Sequence, residues 1–110
     1  MHRLFFLICF VSAPILALAQ QPDQLLDQAD SLRDTNPDSA LHLMSLVHVK
    51  EQDKLVQGRF YDVLGETHWD AGNYLEAITA FEQSHAVYKQ ANEDSLAFES
   101  LYKTGSCARF

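Results

Sequence analysis

Cysteine is scarce in this 110-residue chain, with Cys9 and Cys107 the only two. Cys9 lies in an N-terminal stretch with the layout of a removable leader, so a processed chain keeps Cys107 alone. An internal disulfide, the usual staple of small exported domains, is then excluded. About 90 residues remain to form one small domain, held by side-chain packing. Basic residues are also few, eight Lys and Arg against 15 Asp and Glu, for a net charge of −7. Loss of Arg3 with the leader takes this to −8. An acidic surface lacks the basic footprint that phosphates require, which argues against nucleic acid and mildly favours basic partners. The four glycines are dispersed, so no phosphate-cradling loop is present.

The leader is read over residues 1–19. Met1-His2-Arg3 supplies a positive start, Leu4 to Leu18 an apolar run broken by Ser12 and Pro14, and Ala17-Leu18-Ala19 a small-x-small cleavage site. That run is short of the roughly 20 residues a spanning helix needs, and Pro14 interrupts it. These features fit a secretory signal peptide, with export to a periplasmic or extracellular location as the expectation. Phe6-Leu7-Ile8 lacks the small residue that precedes a lipid-modified cysteine.

Beyond the leader every long segment has helical periodicity and none alternates as a strand does. The expected class is all-α, about five helices. The first spans about Asp23 to Asp34, with Leu25, Leu26, Ala29 and Leu32 as its apolar stripe. Asp23, Asp27, Asp30 and Asp34 occupy another face, expected to be a solvated outer one; the loop and glycine of a calcium-binding EF-hand are missing. Asn36-Pro37-Asp38 is a strong start for a second helix reaching about Val49. A third runs from Lys54 to about Ala71, with Val56, Phe60, Val63, Leu64 and Thr67 inward and Gly72 as its left-handed terminator. A fourth begins near Tyr74. A fifth begins near Leu96, with Ser95 as its cap, and reaches Phe110. Short connections favour antiparallel neighbours.

The stretches Phe60–Gly65 and Ser100–Gly105 are similar and lie 40 residues apart, a period typical of stacked helical arrays. The series Tyr61, Leu64-Gly65, His68, Gly72, Tyr74, Ala77, Phe81 resembles the tetratricopeptide repeat family. His68 and Ser84 depart from the usual aromatic and alanine, and the 40-residue period exceeds the usual 34. The resemblance covers one repeat at 58–91, a degenerate one within 20–53 and the first helix of a third at 95–110. It implies a short stack of antiparallel hairpins. Gly65 and Ala77 would lie opposite each other, Phe81 would fill the space between successive pairs, and Gly105 would have a packing role like that of Gly65. The leader and Asn36–Leu41 also resemble the exported N-terminal repeat regions of bacterial sensor histidine kinases and regulators, notably of Bacteroidetes. The chain would then be the sensing front of a longer signalling protein.

The same resemblance implies a concave groove lined by Arg59, Asp62, Glu66, Trp69 and Asp70, which would take a protein or peptide, basic if the charge matters. Trp69 has two readings: an anchor for the partner, or a cover over the joint with the next helix. No cofactor is implied. His42 and His48 face different ways on one helix, without the spacing of helical metal ligands. His68 and His85 read as core or margin. Cys107 has no neighbouring base to make it a nucleophile, so no catalysis is expected. Membrane contact is expected only through the leader or an anchor beyond Phe110. An unpaired last helix leaves self-association open.

Overall fold

The structure, a computed structural model, describes residues 21–107. The leader, with Cys9, and residues 108–110 lie outside the described residues. Five α-helices follow one another: α1 Pro22–Leu32, α2 Pro37–Ser45, α3 Lys54–Asp70, α4 Tyr74–Gln90 and α5 Asp94–Cys107. There is no strand among the described residues. No helix among them is long and apolar enough to cross a membrane.

The helix starts follow from local chemistry. Pro22 and Pro37 occupy first-turn positions, where no donor is lost. The Asn36 side chain accepts a hydrogen bond from Ser39 N at 3.2 Å, and Asp53 accepts one from Val56 N at 2.9 Å. At the end of α3 Gly72 adopts φ +82°, while Asn73 N reaches back to His68 O at 2.8 Å. Asn92 does the same after α4 with φ +60°, and Glu93 N bonds Tyr88 O at 2.9 Å. Glycine and asparagine are the residues that tolerate this conformation.

Three boundaries differ from expectation. α1 stops at Leu32, short of Asp34. α2 ends at Ser45, well before Val49: Leu46 N and Val47 N turn back to Leu43 O and Met44 O, tightening the last turn. A short 3₁₀ turn, Val49–Glu51, then leads to α3. α5 begins at Asp94, so Ser95 is inside the helix and is not its cap.

Consecutive helices pack antiparallel. A Cβ built on Gly58 would lie 2.4 Å from the Tyr88 ring, and one on Gly65 would lie 2.5 Å from the Phe81 ring. Seven residues along α3 thus correspond to seven residues backwards along α4. α5 returns along α4, with Ser84 Oγ 3.0 Å from Ser100 Oγ and His85 Nδ1 donating to Ala97 O at 2.8 Å. Ser84 also donates to Gly58 O at 2.9 Å, so one buried hydroxyl ties three helices together. That is what serine provides where the family pattern has alanine.

Two apolar clusters form the core. Leu26, Ala29, Ala40, Met44 and Val63 join the first two helices to α3, with Phe60 and Leu64 against them. Burial of side chains such as Leu26 and Met44 stabilises by about 1.5–3 kcal/mol each. Ala77, Phe81 and Cys107 form the second cluster, flanked by Trp69 and Ile78. The group facing Gly65 is therefore the Phe81 ring. Ala77 sits with Phe81 and Cys107, which corrects the expected Gly65–Ala77 opposition. Gly105 is corrected too: it is exposed, and a Cβ there would meet nothing within 4 Å. Among the described residues no helix covers it. Tyr61 stacks edge-on against Phe60 at 5.3 Å, and His68 is half-buried with its Nδ1 enclosed and unpartnered.

Candidate functional site

The first and third helices run side by side and parallel, as ion pairs at two levels show, and one lysine of the fifth, which returns along α4 in the same sense as α3, reaches the third. Arg59 of α3 reaches Asp23 and Asp27, one turn apart on α1. Arg33, at the end of α1, reaches Glu66 and Asp70, one turn apart on α3. Lys103 of α5 reaches Asp62 and Glu66. Both members of each carboxylate pair lie on one helix face, because residues four apart are neighbours there.

Glu66 is the hub. Its Oε2 lies 3.0 Å from Arg33 Nη2 and its Oε1 2.6 Å from Lys103 Nζ. Arg33 Nη1 is 2.7 Å from Asp70 Oδ2, and its Nε is 2.8 Å from Asp30 Oδ1. Lys103 Nζ completes the row at 2.9 Å from Asp62 Oδ2. Burial pushes the Asp62 carboxyl above its ordinary value, a push only partly offset by the Lys103 ammonium. Burial works in the opposite sense on Lys103, but its bonds to Glu66 and Asp62 prevail and raise it. Arg33 is likewise raised: Glu66, Asp30 and Asp70 outweigh its loss of water.

Beside this row lies a cleft of about 450 Å³, a volume in the range of small-ligand and side-chain pockets. Trp69, Phe81 and Cys107 give it an apolar floor; Arg33, Glu66, Asp70, Lys103 and Ser106 surround it. Lys103 Nζ stands 5.8 Å from the centre of the Phe81 ring, within reach of its negative face. Burial pushes the Cys107 thiol up, away from the thiolate a nucleophile needs. Among the described residues no group of His, Cys, Asp and Glu is arranged to hold a metal ion.

The residues expected in the groove are brought together only in part. Glu66, Trp69 and Asp70 border the cleft, Asp62 lies next to it through Lys103, and Arg59 turns instead to α1. Trp69 has the packing role of one reading and also lines the cleft. It packs on the second cluster, with its ring 4.8 Å from that of Tyr74, and it is half-exposed in the cleft floor. The aspartates of α1 lie on an exposed face as expected, and three of them, Asp23, Asp27 and Asp30, also pair with the cations of Arg59 and Arg33. Arg33, Lys103 and Ser106 were not anticipated. The signal for the two cations was the run Asp62, Glu66, Asp70, three carboxylates on one helix face that cations from neighbouring helices can engage; Ser106 had none.

No protein-family model, curated protein or solved structure matches the chain. The fold and site define a class: an all-helical protein whose parallel odd-numbered helices, joined by ionic rungs, border one amphipathic cleft.

Proposed function

We propose that the chain is an exported protein-interaction module of the tetratricopeptide-repeat type, with no catalysis of its own. The cleft between α3 and α5 is its docking pocket, and an apolar side chain of an extended or helical peptide is its ligand. The observation that carries this reading is the cleft itself: an apolar floor of Trp69 and Phe81 under a rim bearing both signs of charge. Aromatic anchors seated in such pockets dominate peptide recognition, and the charged rim orients them. The partner's charge is read differently from the sequence-based expectation. Asp62, Glu66 and Asp70 are each engaged by Arg33 or Lys103, so selection favours apolar anchors over basic ones.

Ser106→Phe tests this, because it fills the cleft from a half-buried position without removing a residue of either core cluster. Peptides selected from a displayed library on the wild-type chain are expected to bind the variant at least about tenfold more weakly. The variant's helical circular dichroism should match the wild type's. Undiminished binding with the cleft filled would refute the assignment.

A further inference from the structure

The ionic row beside the cleft holds more acid than base. Asp30, Asp62, Glu66 and Asp70 are joined by ion pairs to Arg33 and Lys103, so four carboxylates answer to two cations. Lys103 Nζ lies 3.1 and 2.9 Å from the two oxygens of Asp62 and 2.6 Å from Glu66 Oε1. Its three N–H donors are thereby engaged, and one positive charge draws two carboxylates together. We infer, on the basis of the docking role proposed above, that an apolar ligand seated in the cleft drives a proton onto this row, at Asp62. The cleft then binds more tightly in mild acid than at neutral pH.

The sign follows from what the ligand displaces. The Asp62 and Glu66 side chains are each 24% exposed, and the water that still reaches the row stabilises its surplus charge. An apolar group on the floor of Trp69 and Phe81 lies against Glu66, Asp70 and Lys103 and expels that water. In the drier site a surplus of negative charge costs more, which favours the neutral form of one carboxyl. Asp62 is the group that takes the proton. Burial already raises it, Lys103 draws it back, and the Glu66 carboxylate beside it adds to the rise. Glu66 and Asp70 are each held by the Arg33 guanidinium, at 3.0 and 2.7 Å, whereas Asp62 shares Lys103 with Glu66. Once Asp62 is neutral, Lys103 stays on Glu66 and the wall of the cleft keeps its place.

The other charges around Asp62 are Arg59, three residues before it on α3, and Glu99 on α5; with Asp62 and Lys103 these are the charges that reach the Tyr88 phenol from its surroundings. Arg33 and Asp30 stand on the α1 side, beyond Glu66. Tyr88, on α4, is pushed up to about 12 and stays neutral throughout the acid range. Among the described residues no histidine lines the cleft. The titration in mild acid therefore belongs to the carboxylate row.

N-Acetyl-phenylalanine amide is the probe, an uncharged apolar anchor with no group of its own that titrates near neutrality. Its binding is read from the emission of Trp69, the chain's one tryptophan. The wild-type chain should bind it at least about threefold more tightly at about pH 5 than at about pH 7.5. Asp62→Asn keeps the shape and removes the proton site. It should bind at neutral pH as tightly as the wild type does in acid, with no further gain on acidification; a merely structural Asp62 would give weaker binding at every pH. Asp34→Asn, at an exposed aspartate outside the row, should keep the wild-type profile. Wild-type affinity that is flat or falls toward acid, while Ser106→Phe still weakens binding, would overturn the proposal and leave the cleft as a docking pocket. An unchanged pH profile in Asp62→Asn would overturn it as well. Probe binding that Ser106→Phe does not weaken would remove the docking reading, and this inference with it.

Discussion

Tyr88 shows how one residue can hold structure and report on it. Its ring lies over Gly58, 6% exposed, at a close approach of α3 to α4. Burial, and then the nearby Asp62 charge, push its phenol from 10.0 up to about 12. The folded value is the raised one, so the stabilisation is complete below pH 10 and is lost as the pH rises through about 12. In that window the unfolded chain ionises its tyrosine and the folded chain does not. The two-unit difference is worth on the order of 2 kcal/mol. Tyr88→Phe keeps the ring over Gly58 and removes the ionisation. Urea unfolding at about pH 9 and about pH 11.5 should therefore show a stability loss smaller by about 2 kcal/mol in the variant. The slope that remains belongs to Lys103 and Cys107, both raised in the fold.

Helix pairs are set by where a side chain is missing. Gly65→Ala drives a methyl group to within 2.5 Å of the Phe81 ring, which is 2% exposed and wedged against Ala77 and Cys107. Overpacking of about 1–3 kcal/mol outweighs the roughly 1 kcal/mol that alanine gains in a helix. Gly105→Ala has only the gain, so it should stabilise by about 0.5–1 kcal/mol. Urea titration at low micromolar concentration measures both, and the opposite signs are the prediction. Sequence periodicity alone gives the two glycines equal standing. It reveals that α3 and α4 exist, about where they begin, and that Gly72 turns the chain, since these depend on neighbours within a few residues. It does not reveal that Phe81, rather than Ala77, lies on Gly65, because that depends on the rotation of one helix about another. The early end of α2 escaped as well. Leu46 and Val47 continue an apolar pattern, yet their N–H groups turn back to Leu43 O and Met44 O, and no proline, glycine or capping residue marks that point in the sequence. In the candidate site Glu66, Trp69 and Asp70 were legible on one face of α3; Arg33 and Lys103, 33 to 41 positions from their partners, were not.

Across the whole molecule, charge is distributed so that the excess of acid is outside the cleft. Two cations, Arg33 and Lys103, stand among Asp62, Glu66 and Asp70, and the hydrogen-bonded geometry leaves little carboxylate capacity facing solvent. A chain of net charge −7 would attract any polycation at long range. Within the cleft, however, a basic ligand must first compete with side chains already held at 2.6–3.0 Å. The wild-type chain should therefore bind a hexalysine probe weakly, by diffuse attraction that fades as added salt brings the screening length from about 14 Å at 50 mM to below about 6 Å at 300 mM. Arg33→Gln with Lys103→Gln releases the carboxylates. Hexalysine binding at low salt should then strengthen by about tenfold, with a steeper salt dependence, as followed by calorimetry or by Trp69 emission. Circular dichroism shows whether the double variant stays helical, and Ser106→Phe added to it separates the cleft from the rest of the acidic surface. Equal hexalysine affinity in the wild type and the double variant would mean that the ionic rungs do not govern what the cleft accepts.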